Sequence, residues 1–217
     1  MKNLTELVFI LDRSGSMSGK EEDTIGGFNN LLEKQKQAEG QALVTTVLFD
    51  DKYELLHDRI DIKGIVPITA DDYSVRGCTA LLDALGKTIN KIKNAQKHTA
   101  EGQRPDKTLC TIITDGLENA SHEYDFKHIK MMVEQQQEKG WVFAFIGTNI
   151  DSISAAGKIG IRDDMAANYV EDSPGMACCY DAVSEMNLNF RQNNCVPKNW
   201  KHKLDEDVKK RGHRHKI

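Results

Sequence analysis

LVFILDRSGSM, residues 7–17, is the stretch that decides how this chain folds. Leu7 to Leu11 form a run short and apolar enough for a strand buried on both faces. The run stops at Asp12, and two serines, Ser14 and Ser16, follow at alternate positions around Gly15. Side chains two apart in an extended or loosely turned loop can point the same way, and Gly15 lets that loop bend tightly. A carboxylate and two hydroxyls therefore leave the end of a buried strand together. Taken alone, the same residue types are also ordinary turn formers and helix caps.

Outward from this stretch the apolar segments alternate between two periods. Ile25, Phe28, Leu31 and Leu32 recur at helical spacing over 23–38. The Gly26–Gly27 pair costs that helix about 1 kcal/mol per glycine and is expected to allow close packing on the sheet. ALVTTVLF (42–49) is β-branched and strand-like, and DDKY (50–53) reads as a tight turn into YELLH (53–57), an antiparallel edge strand. Residues 58–78 read as irregular. Leu82, Leu85, Ile89 and Ile92 mark a helix over 80–97, and TLCTIIT (108–114) is a second buried strand ending on a carboxylate, Asp115. An amphipathic helix (125–139), a strand (141–147), a short helix (152–158), a last strand (166–170) and a last helix (178–192) complete the pattern. Fully apolar strands alternating with helices predict a doubly wound, Rossmann-like α/β domain. Its sheet should be mostly parallel with one antiparallel edge strand, and helices should cover both faces.

The domain is expected to span 1–195. Residues 196–217 form a basic tail, either a docked helix or a partly disordered segment. Eight Lys/Arg against three acidic residues give Lys198–Ile217 a net +5, leaving −9 on the rest of a chain whose total is −4. That balance offers no general nucleic-acid or membrane surface. No apolar run approaches the ~18–20 residues that cross a bilayer, and the N-terminus lacks the apolar stretch and cleavage site of a secretion signal. Five cysteines (78, 110, 178, 179 and 195) form no C-x-x-C pair, which argues against a disulfide framework or zinc site and for reduced thiols in a cytoplasm.

In a parallel α/β sheet, ligands sit outside the carboxyl ends of the strands. Asp12 and Asp115 end two such strands and should reach one edge. RGCTALLDA (76–84) places Thr79 at the start of the 80–97 helix, where its hydroxyl can reach the same edge. Asp12, Ser14, Ser16, Thr79 and Asp115 together offer only hard oxygen donors, which suit Mg²⁺, with Mn²⁺ as the alternative.

LVFILDRSGSM, RGCTALLDAL and TIITDGLENAS resemble the three parts of the metal-ion-dependent adhesion site of von Willebrand factor type A domains. The family's D-x-S-x-S motif falls on Asp12, Ser14 and Ser16, its threonine on Thr79, and the aspartate after its fourth strand on Asp115. The resemblance runs from about residue 4 to 192 and is strongest to small, stand-alone bacterial cytosolic members. It implies a strand order of 3-2-1-4-5-6 and metal ligation by the hydroxyls, with the aspartates acting partly through water. It further implies a partner protein whose carboxylate completes the coordination, in a binding module and not an enzyme. Three neutral hydroxyls leave a divalent ion under-neutralised, in keeping with that need. Arg13, Met17, Glu118 and Asn119 are expected to form the rim that selects the partner.

Other readings compete. A strand ending in aspartate also opens phosphatases of the haloacid dehalogenase type, where that residue is the nucleophile. Those enzymes place a second aspartate two residues on, and here the position is Ser14. Ser14 lies in D-R-S-G-S, so the nucleophile elbow of serine hydrolases is absent. There is no phosphate-binding G-x-x-x-x-G-K-[ST], and Gly157-Lys-Ile-Gly160 lacks the third glycine of a dinucleotide loop. KKRGHRH (209–215) could bind nucleic acid by charge alone, in a salt-sensitive way, although charge runs are usually solvated.

Overall fold

The computed structural model describes residues 4–148 and 150–211. Its six strands are β1 (Leu4–Asp12), β2 (Gln41–Phe49), β3 (Tyr53–Asp61), β4 (Lys107–Thr114), β5 (Val142–Gly147) and β6 (Ala166–Asn168). They form one sheet in the order β3-β2-β1-β4-β5-β6. β1 pairs in parallel with β2 and β4, and β5 continues the parallel set to β6. Only β3 runs antiparallel. This is the doubly wound α/β sheet with one antiparallel edge that the alternating segments predict.

The connections between strands supply α1 (Glu21–Lys36), α2 (Leu81–His98), α3 (Phe126–Gln137) and α4 (Ser152–Lys158). α5 (Ser173–Asn193) and α6 (His202–Arg211) follow β6. α1 packs along α5, and α2 packs on α3. The central strands are apolar because helices cover both faces: β4 is buried at every position. Phe9 of β1 meets Phe28 of α1 edge to face, with ring centroids 5.2 Å apart, an arrangement worth about 1 kcal/mol beyond simple burial.

Several elements differ from expectation for local reasons. β1 starts ahead of its apolar run because Thr5 and Glu6 are buried too; the Glu6 carboxylate accepts Arg59 Nε at 2.7 Å and Gln96 Nε2 at 3.1 Å. β3 runs on through Asp61, where the sequence reads as irregular. It is an edge strand whose charged residues meet solvent, and its register shifts opposite Thr46. α5 begins earlier than expected, because Asp172 caps it by accepting Gly175 N at 2.8 Å. Gly27 packs against α5 and not on the sheet: a Cβ there would lie 2.2 Å from Tyr180 Cδ2.

The tail takes the docked-helix form through Arg211 rather than the disordered one. Trp200 and Leu204 are buried, Trp200 Nε1 donates to Asp164 O at 2.8 Å, and Arg211 pairs with Asp172. The apolar residues of this segment are few but well spaced, and polar contacts carry the rest. The histidines at 213 and 215 lie outside the described residues. All five cysteines are free, with Cys110 and Cys179 buried. Among the described residues no helix is long and apolar enough to cross a membrane.

Candidate metal centre

β1 and β4 end side by side, with Leu11 opposite Ile113. Asp12 is 1% exposed at the tip of β1. Its Oδ1 accepts Ser14 N at 2.7 Å, which folds the D-R-S turn back on itself. Its Oδ2 accepts Thr114 Oγ1 at 2.5 Å, from the last residue of β4. Tyr73 Oη donates to the Asp12 carbonyl at 2.6 Å and fixes the backbone at the same point. Burial raises the Asp12 carboxyl above its ordinary value, against the hydrogen bonds from Thr114 and Ser14 that favour the charged form.

Ser14 and Ser16 are brought together, Oγ to Oγ at 3.0 Å. Ser16 Oγ donates to Asp115 Oδ1. The shared proton between the serines therefore comes from Ser14, and both oxygens keep lone pairs. Thr79 is 3% exposed, and its hydroxyl has no hydrogen-bond partner among the described residues. It stands at the threshold of α2 without capping it; the N-cap position is Ala80. Gly116 shows how close the donors lie. A Cβ at Gly116 would fall 2.9 Å from Thr79 Oγ1 and 3.3 Å from Ser16 Oγ. The structure thus gathers all five predicted residues, Asp12, Ser14, Ser16, Thr79 and Asp115, at one edge of the sheet.

The surrounding loops are stitched to one another. Arg13 N donates to Phe49 O, Arg76 N to Arg13 O and Gly15 N to Gly77 O, at 2.8, 2.8 and 3.1 Å. Buried Asp50 accepts Arg13 Nε at 3.2 Å and Arg76 Nε at 2.7 Å, so one carboxylate binds the first loop to the second. Asn119 exchanges hydrogen bonds with the Thr79 backbone, at 2.9 and 3.0 Å. Glu118 accepts Leu82 N at 2.9 Å and Ser121 N at 2.7 Å, doing for α2 what a cap residue would.

These contacts correct the expected rim. Arg13 and Met17 are buried, and the Glu118 carboxylate is spent on backbone N–H groups. Asn119 is exposed but occupied in holding Thr79. The large apolar side chain that does face solvent beside Asp115 is Leu117, 59% exposed. Lys203, Lys210 and Arg211 are ion-paired with acidic neighbours, and Lys201 is held by two carbonyls.

Sequence reading missed two members of the centre. Thr114 reads in the sequence only as the end of a strand. Lys20 sits at the N-cap of α1, and its ammonium meets Asp115 Oδ2 at 2.5 Å, Ser16 O at 2.9 Å and Glu171. Its one signal in the sequence is a cation placed directly before the acidic run Glu21-Glu22-Asp23.

The donor set fits a hard divalent cation: hydroxyl and carboxylate oxygens, buried except at exposed Ser16, with no nitrogen or sulfur ligand among them. Among the described residues no group of three or more His, Cys, Asp or Glu is placed to hold a metal ion, so any ion here would depend on the hydroxyls.

The sheet order and its covering helices make a von Willebrand factor type A fold, and solved structures share it. Proximal thread matrix protein 1 of the mussel byssus, in a form whose adhesion-site motif is occupied by zinc, shares 14% identity at a TM-score of 0.58. The match covers 85% of this chain and 46% of that one. A von Willebrand factor type A protein from Catenulispora acidiphila matches at 12% identity and TM-score 0.55, over 85% and 43% of the two chains. The ArnB paralog VWA2 from Sulfolobus acidocaldarius matches at 18% and 0.56, over 86% and 45%. The chain spans less than half the length of each of these. No protein-family model and no curated protein matches the sequence.

Proposed function

We propose that this chain is a metal-dependent protein-binding module acting inside a bacterial cell. Ser14, Ser16 and Thr79 would hold Mg²⁺, or Mn²⁺, through their hydroxyls, with Asp12 and Asp115 supplying the negative charge. The observation that carries the reading is the convergence of three hydroxyl side chains and two buried carboxylates at the carboxyl edge of the sheet. When bound, the ion would act as a Lewis acid that accepts an outside carboxylate.

The chain's own residues do the rest. Asp12 keeps the first loop folded through Ser14 N and ties it to β4 through Thr114. Asn119 holds Thr79 in register with that loop. Leu117 gives a partner an apolar contact beside the charged centre, so an acidic side chain next to an apolar one is the epitope that fits. The free thiols suit a reducing compartment.

Mg²⁺ calorimetry on the wild type and Asp12→Ala tests the site; equal affinity in both would sink it. A pull-down with and without chelator tests the partner, which should be released by chelation. Asp12-dependent turnover of a generic phosphoester under Mg²⁺ would instead make the protein a hydrolase.

A further inference from the structure

Lys20 breaks a local rule. The N-cap of a helix favours Ser, Thr, Asp or Asn, and the helix dipole opposes a cation there. α1 nevertheless starts on a lysine that makes no side-chain cap. Its ammonium is instead drawn across to the other side of the centre, where it contacts Ser16 O, Asp115 Oδ2 and Glu171. Only 12% of the side chain is exposed, against 36% for Glu171, so the contact with Asp115 lies on the inner side of the pair. Burial works against the charge, but the carboxylates of Asp115 and Glu171 outweigh it and raise the ammonium above its ordinary value.

The consequence is electrostatic. Asp12 and Asp115 alone would present two negative charges to a divalent ion and neutralise it. With Lys20 bound to Asp115, the inner three groups present a net of one negative charge; Glu171 brings the whole cluster to two, but it lies on the more exposed side, where solvent screens it. We propose that Lys20 is a specificity-determining residue of the metal centre. It holds down the intrinsic affinity for a divalent cation and leaves the bound ion with excess positive charge that an external carboxylate must meet. Glu171, on the segment leading into α5, is the counter-ion that keeps Lys20 in place. This inference rests on the metal reading above and adds to it the reason why the ion would need a partner.

The test is titration of the full chain with Mg²⁺ and with Mn²⁺, with and without acetate as a minimal carboxylate. It compares the wild type with Lys20→Met, Lys20→Gln and Lys20→Arg. Removing one unit charge a few ångströms from a divalent ion in a partly solvated site should tighten metal binding by about tenfold. Met and Gln should both do so, Arg should stay near the wild-type affinity, and the gain in metal affinity from acetate should shrink in the neutral variants. Near-UV circular dichroism checks the fold of each variant, and the two neutral side chains guard against one of them failing to fold. Unchanged or weaker binding in a folded neutral variant overturns the proposal while leaving the metal site standing. Tightening in Lys20→Arg equal to that in Lys20→Met also overturns it, because packing and not charge would then be the cause. Absence of metal binding in the wild type and every variant overturns the metal reading and this inference together.

Discussion

The two ends of the sheet solve the problem of buried charge in opposite ways. At the carboxyl edge the anions Asp12 and Asp115 are surrounded by hydroxyls, with Lys20 held at the side and a buried ion pair, Arg13 with Asp50, binding the neighbouring loops. At the amino edge, beside the buried Glu6 carboxylate that Arg59 pairs, two cations are held by backbone carbonyls. Arg191, at the end of α5 and 1% exposed, donates to Gln35 O, to Glu39 O at 3.3 Å and to Gly40 O at 3.0 Å, at and just beyond the end of α1. Lys107 Nζ donates in turn to Arg191 O at 2.5 Å. Carbonyls cannot leave, lose a proton or be replaced, so the amino edge is a closed structural clamp. Hydroxyls and carboxylates keep further lone pairs, so the carboxyl edge retains valence to offer. α1 joins the two, with Lys20 at one end and Gln35 at the other.

The largest effect that would separate the two ends is expected from Arg191→Ala. It strands the carbonyls at the end of α1 and empties a buried volume, so guanidinium unfolding should show a loss of about 3 kcal/mol. Mg²⁺ affinity, measured well below the unfolding midpoint, should stay as it is. Gly27→Ala strikes the strut between the ends. The added methyl must displace the Tyr180 ring, and overpacking of this kind costs about 1–3 kcal/mol. If stability were unchanged, α1 and α5 would not be as close as described.

Gly116→Ala reverses the pattern. The methyl would crowd Thr79 Oγ1 and Ser16 Oγ. Calorimetry should show Mg²⁺ binding weakened at least about tenfold, with stability changed by less than about 1 kcal/mol. A large loss of stability with intact binding would mean that the hydroxyls do not converge there.

The smallest effect belongs to neither end. His57, on β3, bonds Thr46 through Nδ1 at 3.0 Å, and burial lowers it below its ordinary value of 6.5 despite the pull of Asp72. The unfolded chain therefore takes up the proton first. The stability held above pH 6.5 should fall as pH drops below it, until the folded imidazole also protonates. His57→Gln should flatten that stretch of the urea-midpoint profile relative to the wild type.

How far the sequence speaks depends on which force places a residue. Burial is written in composition, so the cores of β1, β2, β4 and β5 and the faces of α1 and α2 are legible from periodicity. The five residues gathered at the carboxyl edge are legible because they end, or closely follow, strands that periodicity locates, or stand at the start of a helix. What could not be read is whatever depends on partners distant along the chain. Glu6 looks like an exposed residue until Arg59 and Gln96 reach it. Arg13 looks like a rim residue until Asp50 and Glu54 draw it inside. The helical tail is hidden for the same reason: Trp200 and Leu204 are too few to signal a helix, and its anchors, Asp164 and Asp172, lie far upstream.

The docking of that tail has a consequence for life in a crowded solution. An open sheet has two flanks, and each invites a foreign strand to extend it. On one flank β3 is bent and charged, with Arg59 in a left-handed backbone conformation at φ 51° that interrupts a regular ladder. On the other, β6 is only three residues long, and the Lys201 ammonium takes the Ala166 carbonyl at 2.6 Å while α6 lies alongside. A side chain caps the strand where another molecule's backbone would otherwise attach. The molecule is guarded against growing sideways into fibres.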